Sequence, residues 1–113
     1  MNSVLIVGRS GRDADEMKRF DSGKTRTTFS LAVNRWDSKT SAEITDWFNI
    51  EAWDRMAEFA SKYVKKGGLF AVEGRMRVSN WKDQNGEDRQ SYIVTANNIR
   101  FVGGKKEQVN DNI

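Results

Sequence analysis

Four tryptophans are the side chains of this sequence best equipped to recognise a ligand, and each falls in a strand-like pattern. Alternate residues of a strand point to opposite faces. In TDWFNIEAW, residues 45–53, Phe48, Ile50 and Ala52 share one face, while Trp47, Asn49, Glu51 and Trp53 share the other. The polar Asn49 and Glu51 mark that second face as the solvated one. Trp36 falls in register with Ser30 and Asn34, opposite Phe29, Leu31 and Val33. Trp81 falls in register with Arg75, Arg77 and Ser79, opposite Val72, Met76 and Val78. Every tryptophan therefore lies on the polar side of its own strand, although tryptophan is usually well buried. For one such residue the plainer reading is an outer Trp covered by a loop or a second subunit, or a bulge that reverses the parity. For four of four, accompanied by arginines, an exposed aromatic platform is the better reading.

A nucleic-acid base has two apolar faces and hangs from an anionic backbone. Aromatic side chains beside positive charge bind single strands by stacking on bases, at about 1–3 kcal/mol per base. Trp47 and Trp53 are six residues apart, about 20 Å along a strand. They would hold different nucleotides and define a track rather than a pocket. Basic residues at or beside the platform are Arg35, Arg55, Lys62, Lys65, Lys66, Arg75, Arg77 and Lys82. Phosphate contacts from them would make affinity fall with salt. Arg75 and Arg77, two apart on the Trp81 face, are the strongest of these. For Lys62, Lys65 and Lys66 a solvated helix surface is the plainer reading. Stacking accepts any base, so weak sequence preference follows, and duplex DNA, with its base faces hidden, is disfavoured.

Other chemistries are thinly supplied. The chain has no His and no Cys, which removes imidazole bases, Ser-His triads, thiol nucleophiles and the usual zinc ligands. GRSG at residues 8–11 is a turn signal and not a phosphate loop, since no GKS or GKT follows. No carboxylate pair stands out. The expectation is a binding protein, not an enzyme, with no cofactor and no metal. The 19 Lys+Arg against 16 Asp+Glu give a net charge of +3, which permits an anionic partner without demanding one. No apolar run is long enough for a membrane helix, and the N-terminus lacks a secretory signal's charged and cleavable regions. The expected location is intracellular.

The elements that must position these residues follow from periodicity. Residues 3–7 (SVLIV) read as a strand buried on both faces or lying at a subunit contact, broken by Gly8 and Gly11. Residues 13–24 are polar and irregular, with Met17 and Phe20 as anchors and a turn at residues 22–24. Residues 25–36 alternate as a strand, residues 37–44 form a polar tip, and residues 45–53 form the next strand. Met56, Phe59, Ala60, Tyr63 and Val64 then recur at helical spacing over roughly three turns, with Asp54 as N-cap and Gly67 at C′. Residues 69–81 form a long strand with Phe70, Val72, Gly74, Met76 and Val78 inward. Asn85-Gly86 marks a hairpin. A strand over residues 89–95 returns, and a short one covers residues 99–102. An all-β chain with one helix before its second half fits a five-stranded Greek-key barrel, the OB-fold; an SH3-like barrel would not carry such a helix there. Residues 1–104 form that single domain, and residues 105–113 read as a disordered tail.

The ordered motifs NSVLIVGRSGRD, FSLAVNRW, TDWFNIEAW, AEFASKYVKKG, VEGRMRVSNWKDQNGEDR and IRFVGG together resemble the bacterial-type single-stranded DNA-binding protein (SSB) family, also found in organelles. The resemblance covers residues 2 to about 104. It implies an OB-fold that assembles as a homo-oligomer, commonly a homotetramer, and coats single-stranded DNA in replication, recombination and repair, nucleoid-associated in the cytoplasm or in an organelle. The family's stacking aromatics match Trp36, Trp47, Trp53 and Trp81, and its basic positions match Arg55, Lys65, Lys66 and Arg77. The first strand, with Asn2, Val4 and Ile6, matches the dimer-forming edge. The chain departs from the family in having Ala14 after Asp13 where Pro is common, and Ser79 and Asn80 where basic residues are frequent. Residues 105–113 also lack the acidic, aromatic-ending tip by which relatives recruit other proteins, so tip-mediated recruitment is not expected. Two other readings remain open on residues alone: a primosome-type OB protein working by protein contact, which would be expected to lack the Trp platform, and an RNA-binding OB protein, since stacking does not sense the 2′-OH.

Overall fold

The computed structural model describes residues 1–104; the expected C-terminal tail lies outside them. Six strands and one helix follow in the order β1 (Val4–Ser10), β2 (Lys18–Arg19), β3 (Thr25–Asp37), β4 (Ala42–Trp53), α1 (Arg55–Tyr63), β5 (Leu69–Lys82) and β6 (Asp88–Gly103). The sheet order is β1-β5-β6-β4-β3-β2, and β1 also pairs with β3. That extra pairing closes five strands into a ring and leaves the two-residue β2 as an appendage on β3. All neighbours are antiparallel except β4 and β6, which run parallel over residues 49–51.

The ring closes because β1 changes partners. It pairs with β5 from Val4 to Arg9, then with β3 at Arg9 and Ser10. Gly8, expected to end the strand, lies inside it. A Cβ there would sit 2.6 Å from the Ala32 carbonyl oxygen, so the close crossing of β1 over β3 needs a residue without one. The expected break in the last strand is also absent. β6 is continuous, and the register shift that leaves Asn97 unpaired, opposite residues 73–74 of β5, is a bulge. It displaced the sequence pattern without ending the strand. At the same point Gly74 abuts the β6 backbone, where a Cβ would fall 2.0 Å from the Thr95 carbonyl oxygen.

The inward parity of each strand fills the ring. Phe29, Leu31, Ile50, Phe70, Val72 and Val94 are almost wholly buried, with Ile6, Ala52, Ala96 and Ile99 beside them. The helix plugs the ring with Ala57, Ala60 and Val64; Met56 and Phe59 flank this contact. Tyr63, expected on the buried stripe, is exposed and packs on Phe59 with ring centroids 4.9 Å apart. Ala57 and Ala60 are fully buried, and residues this small let the helix approach closely. Asp54 occupies the N-cap position at φ 50° but makes no capping bond; its carboxylate accepts from the Thr25 amide at 3.0 Å instead. The helix ends in an extended Val64. Gly67, at φ 87°, shapes the link beyond it and donates to the Ser10 carbonyl.

Two hairpins outgrow the ring. Every residue of β3 from Arg26 to Asp37 pairs with β4, but β4 meets β6 only over residues 49–51. Likewise β5 and β6 stay paired out to Lys82 and Asp88. Beyond the ring these are two-stranded arms with both faces exposed. Val78 was expected in the core and is exposed for this reason, as is its cross-strand neighbour Tyr92. The second arm turns over residues 83–87, where the Asp83 carboxylate accepts from the Asn85 and Glu87 amides.

Candidate nucleic-acid interface

Strand register decides whether the four tryptophans share one surface. On the outer side, Trp53 pairs with Arg26, Glu51 with Thr28, Asn49 with Ser30, Trp47 with Ala32, and Glu43 with Trp36. The same side continues onto β6 through Asn49 to Ile93 and Glu51 to Thr95. It then crosses to β5, where Thr95 pairs with Arg75, Ile93 with Arg77, Ser91 with Ser79, and Arg89 with Trp81. One sheet face thus runs from β3 across β4 and β6 to β5 and carries all four tryptophans. No bulge interrupts the parity on the stretches that hold them.

The four are not equally open. Trp36 and Trp47 are 65% and 60% exposed, and Trp81 is 49% exposed, with its indole N–H donating to Ser91 Oγ at 3.3 Å. Trp47 lies beside Gly11, where a Cβ would come within 2.5 Å of the indole ring. Trp53 is only half-buried or half-open, because Phe20 packs on it with ring centroids 5.5 Å apart and the Arg26 guanidinium lies 5.7 Å from its ring. Phe20 is therefore an anchor, as the sequence indicates, and what it anchors is a platform residue.

Glu51 corrects the sequence reading most sharply. It was expected to mark the solvated side of β4, yet it is 3% exposed. Its carboxylate accepts two bonds from Arg77, from Nε and Nη2, each at 2.9 Å. Thr95 Oγ1 donates a third at 2.7 Å. The Arg77 guanidinium, chiefly, and the Thr95 hydroxyl hold the Glu51 carboxyl down at about 2 against the opposing effect of burial, as expected for a carboxylate satisfied in its charged form. Arg77, expected to contact phosphate, is committed to this pair while its side chain stays 45% exposed. A cleft of about 300 Å³ lies over the pair, lined also by Arg12, Arg26, Asn49 and Ser91.

The other predicted cations are scattered. Arg35 has the parity of Val33, not of Trp36, and its guanidinium meets Asp46 at 2.8 Å; it is on the opposite face of the first arm. Arg75 lies on the tryptophan face beside Thr95 and is exposed. Arg55 is exposed at the first turn of the helix, two residues past Trp53. Lys65 and Lys66 are exposed in the link after the helix; there the Lys66 amide donates to Asp13 at 2.8 Å, tying the link to the loop that carries Arg12. Arg12 and Arg26 were missed. Arg26 shares parity with Thr28 and Ser30, so the alternation that placed Trp36 could have found it. Arg12 sits in a loop with no periodic signal.

The expected oligomer residues divide. Asn2 is exposed and pairs with the Met76 backbone, donating through Nδ2 to its carbonyl and accepting from its amide. Val4 and Ile6 point into their own core. The exposed side chains of β1 are Leu5 and Val7, and a contact through this strand would use them and the main chain. Among the described residues, no helix is long and apolar enough to cross a membrane.

A five-stranded ring in which β1 closes on β3, with a helix between β4 and β5 and an aromatic outer face, defines the chain as an OB-fold protein. Comparison with known proteins narrows the class. The chain matches the Single-strand binding protein family over residues 1–102. It is 43% identical over 108 residues to single-stranded DNA-binding protein 1 of Synechocystis, covering 95% of this chain and 88% of that one. It is 42% identical over 107 residues to the single-stranded DNA-binding protein of Thermotoga maritima, covering 92% and 75%. In three dimensions it is similar to the Plasmodium falciparum SSB solved in complex with ssDNA, at a TM-score of 0.78 and 28% identity, over 90% of this chain and 95% of that one. The chain belongs to the single-strand binding protein family.

Proposed function

We propose that this protein binds single-stranded DNA with little sequence preference, and that it coats and protects the strand in replication, recombination and repair. The observation that carries the reading is the unbroken register that puts Trp36, Trp47, Trp53 and Trp81 on one outer face. Those four stack on bases. Arg55, Lys65, Lys66 and Arg75 contact phosphates, Arg77 does so from a fixed position, and Arg35 reaches the strand only from the far side of its arm. The named relatives and the SSB–ssDNA complex support the same reading. The protein works by binding and catalyses no reaction. In keeping with that, the buried Glu51 carboxylate on this face has its acidity held down at about 2, far from the range useful for proton transfer at neutral pH.

The protein works as a homo-oligomer, a homotetramer by the family's habit. Support comes from β1, whose edge opposite β5 is paired only at Arg9 and Ser10, and from the exposed Leu5 and Val7 on the same strand. An unpaired edge is a template for a second chain. The site of action is the nucleoid in the cytoplasm, or an organelle.

The test is a titration of intrinsic Trp fluorescence with dT and rU oligomers and with duplex DNA at two salt concentrations. Strong quenching by dT, weaker by rU, absent with duplex and reduced by salt is expected. No quenching, or equal response to duplex, overturns the proposal; equal response to rU turns it toward RNA.

A further inference from the structure

Residues 18–26 (KRFDSGKTR) hold four basic side chains and one acidic one. They form the hairpin of β2 with the start of β3, outside the closed ring. The other arginines of the tryptophan face and its cleft are mostly committed: Arg77 to Glu51, Arg12 to Asp15 and Arg89 to Asp83; Arg35, on the opposite face, is committed to Asp46. None of the ion pairs among the described residues involves Lys18, Arg19, Lys24 or Arg26.

The hairpin also has the right face. Lys18 pairs with Arg26, and Arg26 pairs with Trp53, so the three form one row across β2, β3 and β4 on the tryptophan side. Phe20, two residues from Lys18, has the same parity and packs on Trp53. Lys18 Nζ lies 5.2 Å and Arg26 Cζ 5.4 Å from the Phe20 ring centroid. Cations held over aromatic rings keep their charge available to a further partner. Phe20 is itself held by backbone bonds across the turn, donating from its amide to the Lys24 carbonyl and accepting from the Gly23 amide.

We infer that this hairpin is an additional phosphate-binding segment that carries the single-stranded DNA track past Trp53 to the edge of the sheet. The inference rests on the proposed function and extends it to residues outside the tryptophan strands. Phe20 braces Trp53 and sets the height of the row, while Lys18, Lys24 and Arg26 meet the backbone of the nucleotides that follow the one stacked on Trp53. Continuity with the tryptophan face and free positive charge favour an extended polyanion here over an apolar partner.

The experiment compares wild type with Lys18→Gln, Lys24→Gln and their double, using Lys62→Gln on the helix as a charge-matched control. Affinity for long dT oligomers is measured over a salt series. Each phosphate contact on a single strand contributes about 0.7 to the slope of log K against log salt. The hairpin singles are expected to lower the slope by about 0.7 each and the double by about 1.4, with the Lys62 variant unchanged. Both lysines are exposed, and unchanged far-UV circular dichroism is expected throughout. A double variant with the wild-type slope overturns the inference and leaves the single-strand reading standing. So does an equal loss in the Lys62 variant, which would mean a bulk charge effect. Failure of the wild type to bind dT at all would overturn the proposed function itself, and the hairpin's role with it.

Discussion

Trp47 and Trp36 stand on the same face of the same hairpin, yet they sit in different kinds of structure. Around Trp47 and Trp53 the face is backed by the closed ring. There Glu51, Arg77 and Thr95 knit β4, β5 and β6 together from above, and Gly11 and Phe20 press on the indoles. Trp36 and Trp81 ride on two-stranded arms with solvent on both faces, where even residues of core parity such as Val78 are exposed. A two-stranded ribbon is marginal by itself in water. In the proposed track the ring would offer preorganised stacking stations, whereas the arms would offer stations to be ordered as a strand binds. Preorganisation lowers the entropic cost of binding, so residues of one chemical type should differ in effect between the two regions.

The largest contrast is expected from two glycines. Gly74→Ala drives a methyl group into the β6 backbone within the ring and should cost about 3 kcal/mol or more, since backbone cannot yield as a side chain does. Gly86→Ala at the arm tip meets nothing within 4 Å but keeps a positive φ of 77°, and should cost about 1 kcal/mol. Urea denaturation of both variants checks this; similar midpoints would mean that the arm is as tightly built as the ring.

Next in size is the pair that ties the ring's outer face. Arg77→Ala strips the buried Glu51 carboxylate of its two-bond partner. Breaking a fully buried pair costs about 3–5 kcal/mol, but Arg77 is half-exposed and solvent screens the interaction; about 2 kcal/mol of stability is expected to go. Arg75→Ala, on the same face without such a partner, should stay within about 0.5 kcal/mol of wild type and affect only binding. If Arg77→Ala weakens binding with no change in melting, the Glu51 pair is not structural.

Binding losses should then rank by region. Trp47→Ala is expected to cost about 2 kcal/mol of affinity for dT oligomers and Trp36→Ala about 1 kcal/mol, both within the range for one stacked base. Fluorescence anisotropy of labelled oligomers measures both, and equal losses would remove the distinction between ring and arm. Trp53→Ala is a poorer comparison, because it also strips Phe20 of its packing partner.

At mildly acidic pH the effect of acid is comparable to that of one arm tryptophan. Glu51 has its folded pKa depressed from 4.5 to about 2, so the pair contributes its full stability above pH 4.5. That contribution is lost progressively as pH falls from there toward 2. About 1 kcal/mol should be gone by about pH 3.5. Glu51→Gln should flatten this part of the pH–stability curve, and an unchanged acid limb would assign the loss to other carboxylates.

Much of this was legible in the residues. Alternation in residues 25–36 and 45–53 identified the wet and dry sides of β3 and β4, because a strand's period of two is a local property. The helix was legible from its 3.6 period, although not the burial of Ala57, since alanine is a weak apolar signal and only close packing buries it. Long-range pairings were not legible. Gly8 looks like a strand breaker in sequence and is instead the residue that lets β1 cross β3. Glu51 looks solvated, and only β5 supplies the guanidinium that makes its burial tolerable. Phe20 is legible as an anchor, but its contact with Trp53, like the place of Arg12 at the candidate interface, comes from loop packing that leaves no periodic trace.

The sequence by itself determined which aromatic side chains are available for the proposed stacking, on which side of each strand they lie, and that imidazole and thiol chemistry are absent. Those are matters of residue type and local parity. Tertiary structure alone decided that four separate strand faces become one surface, that its centre carries a neutralised ion pair, and that free positive charge collects on the β2–β3 hairpin. The physical reason is that register and ring closure join residues dozens of positions apart. A charge is free or spent only relative to the partner that folding brings to it.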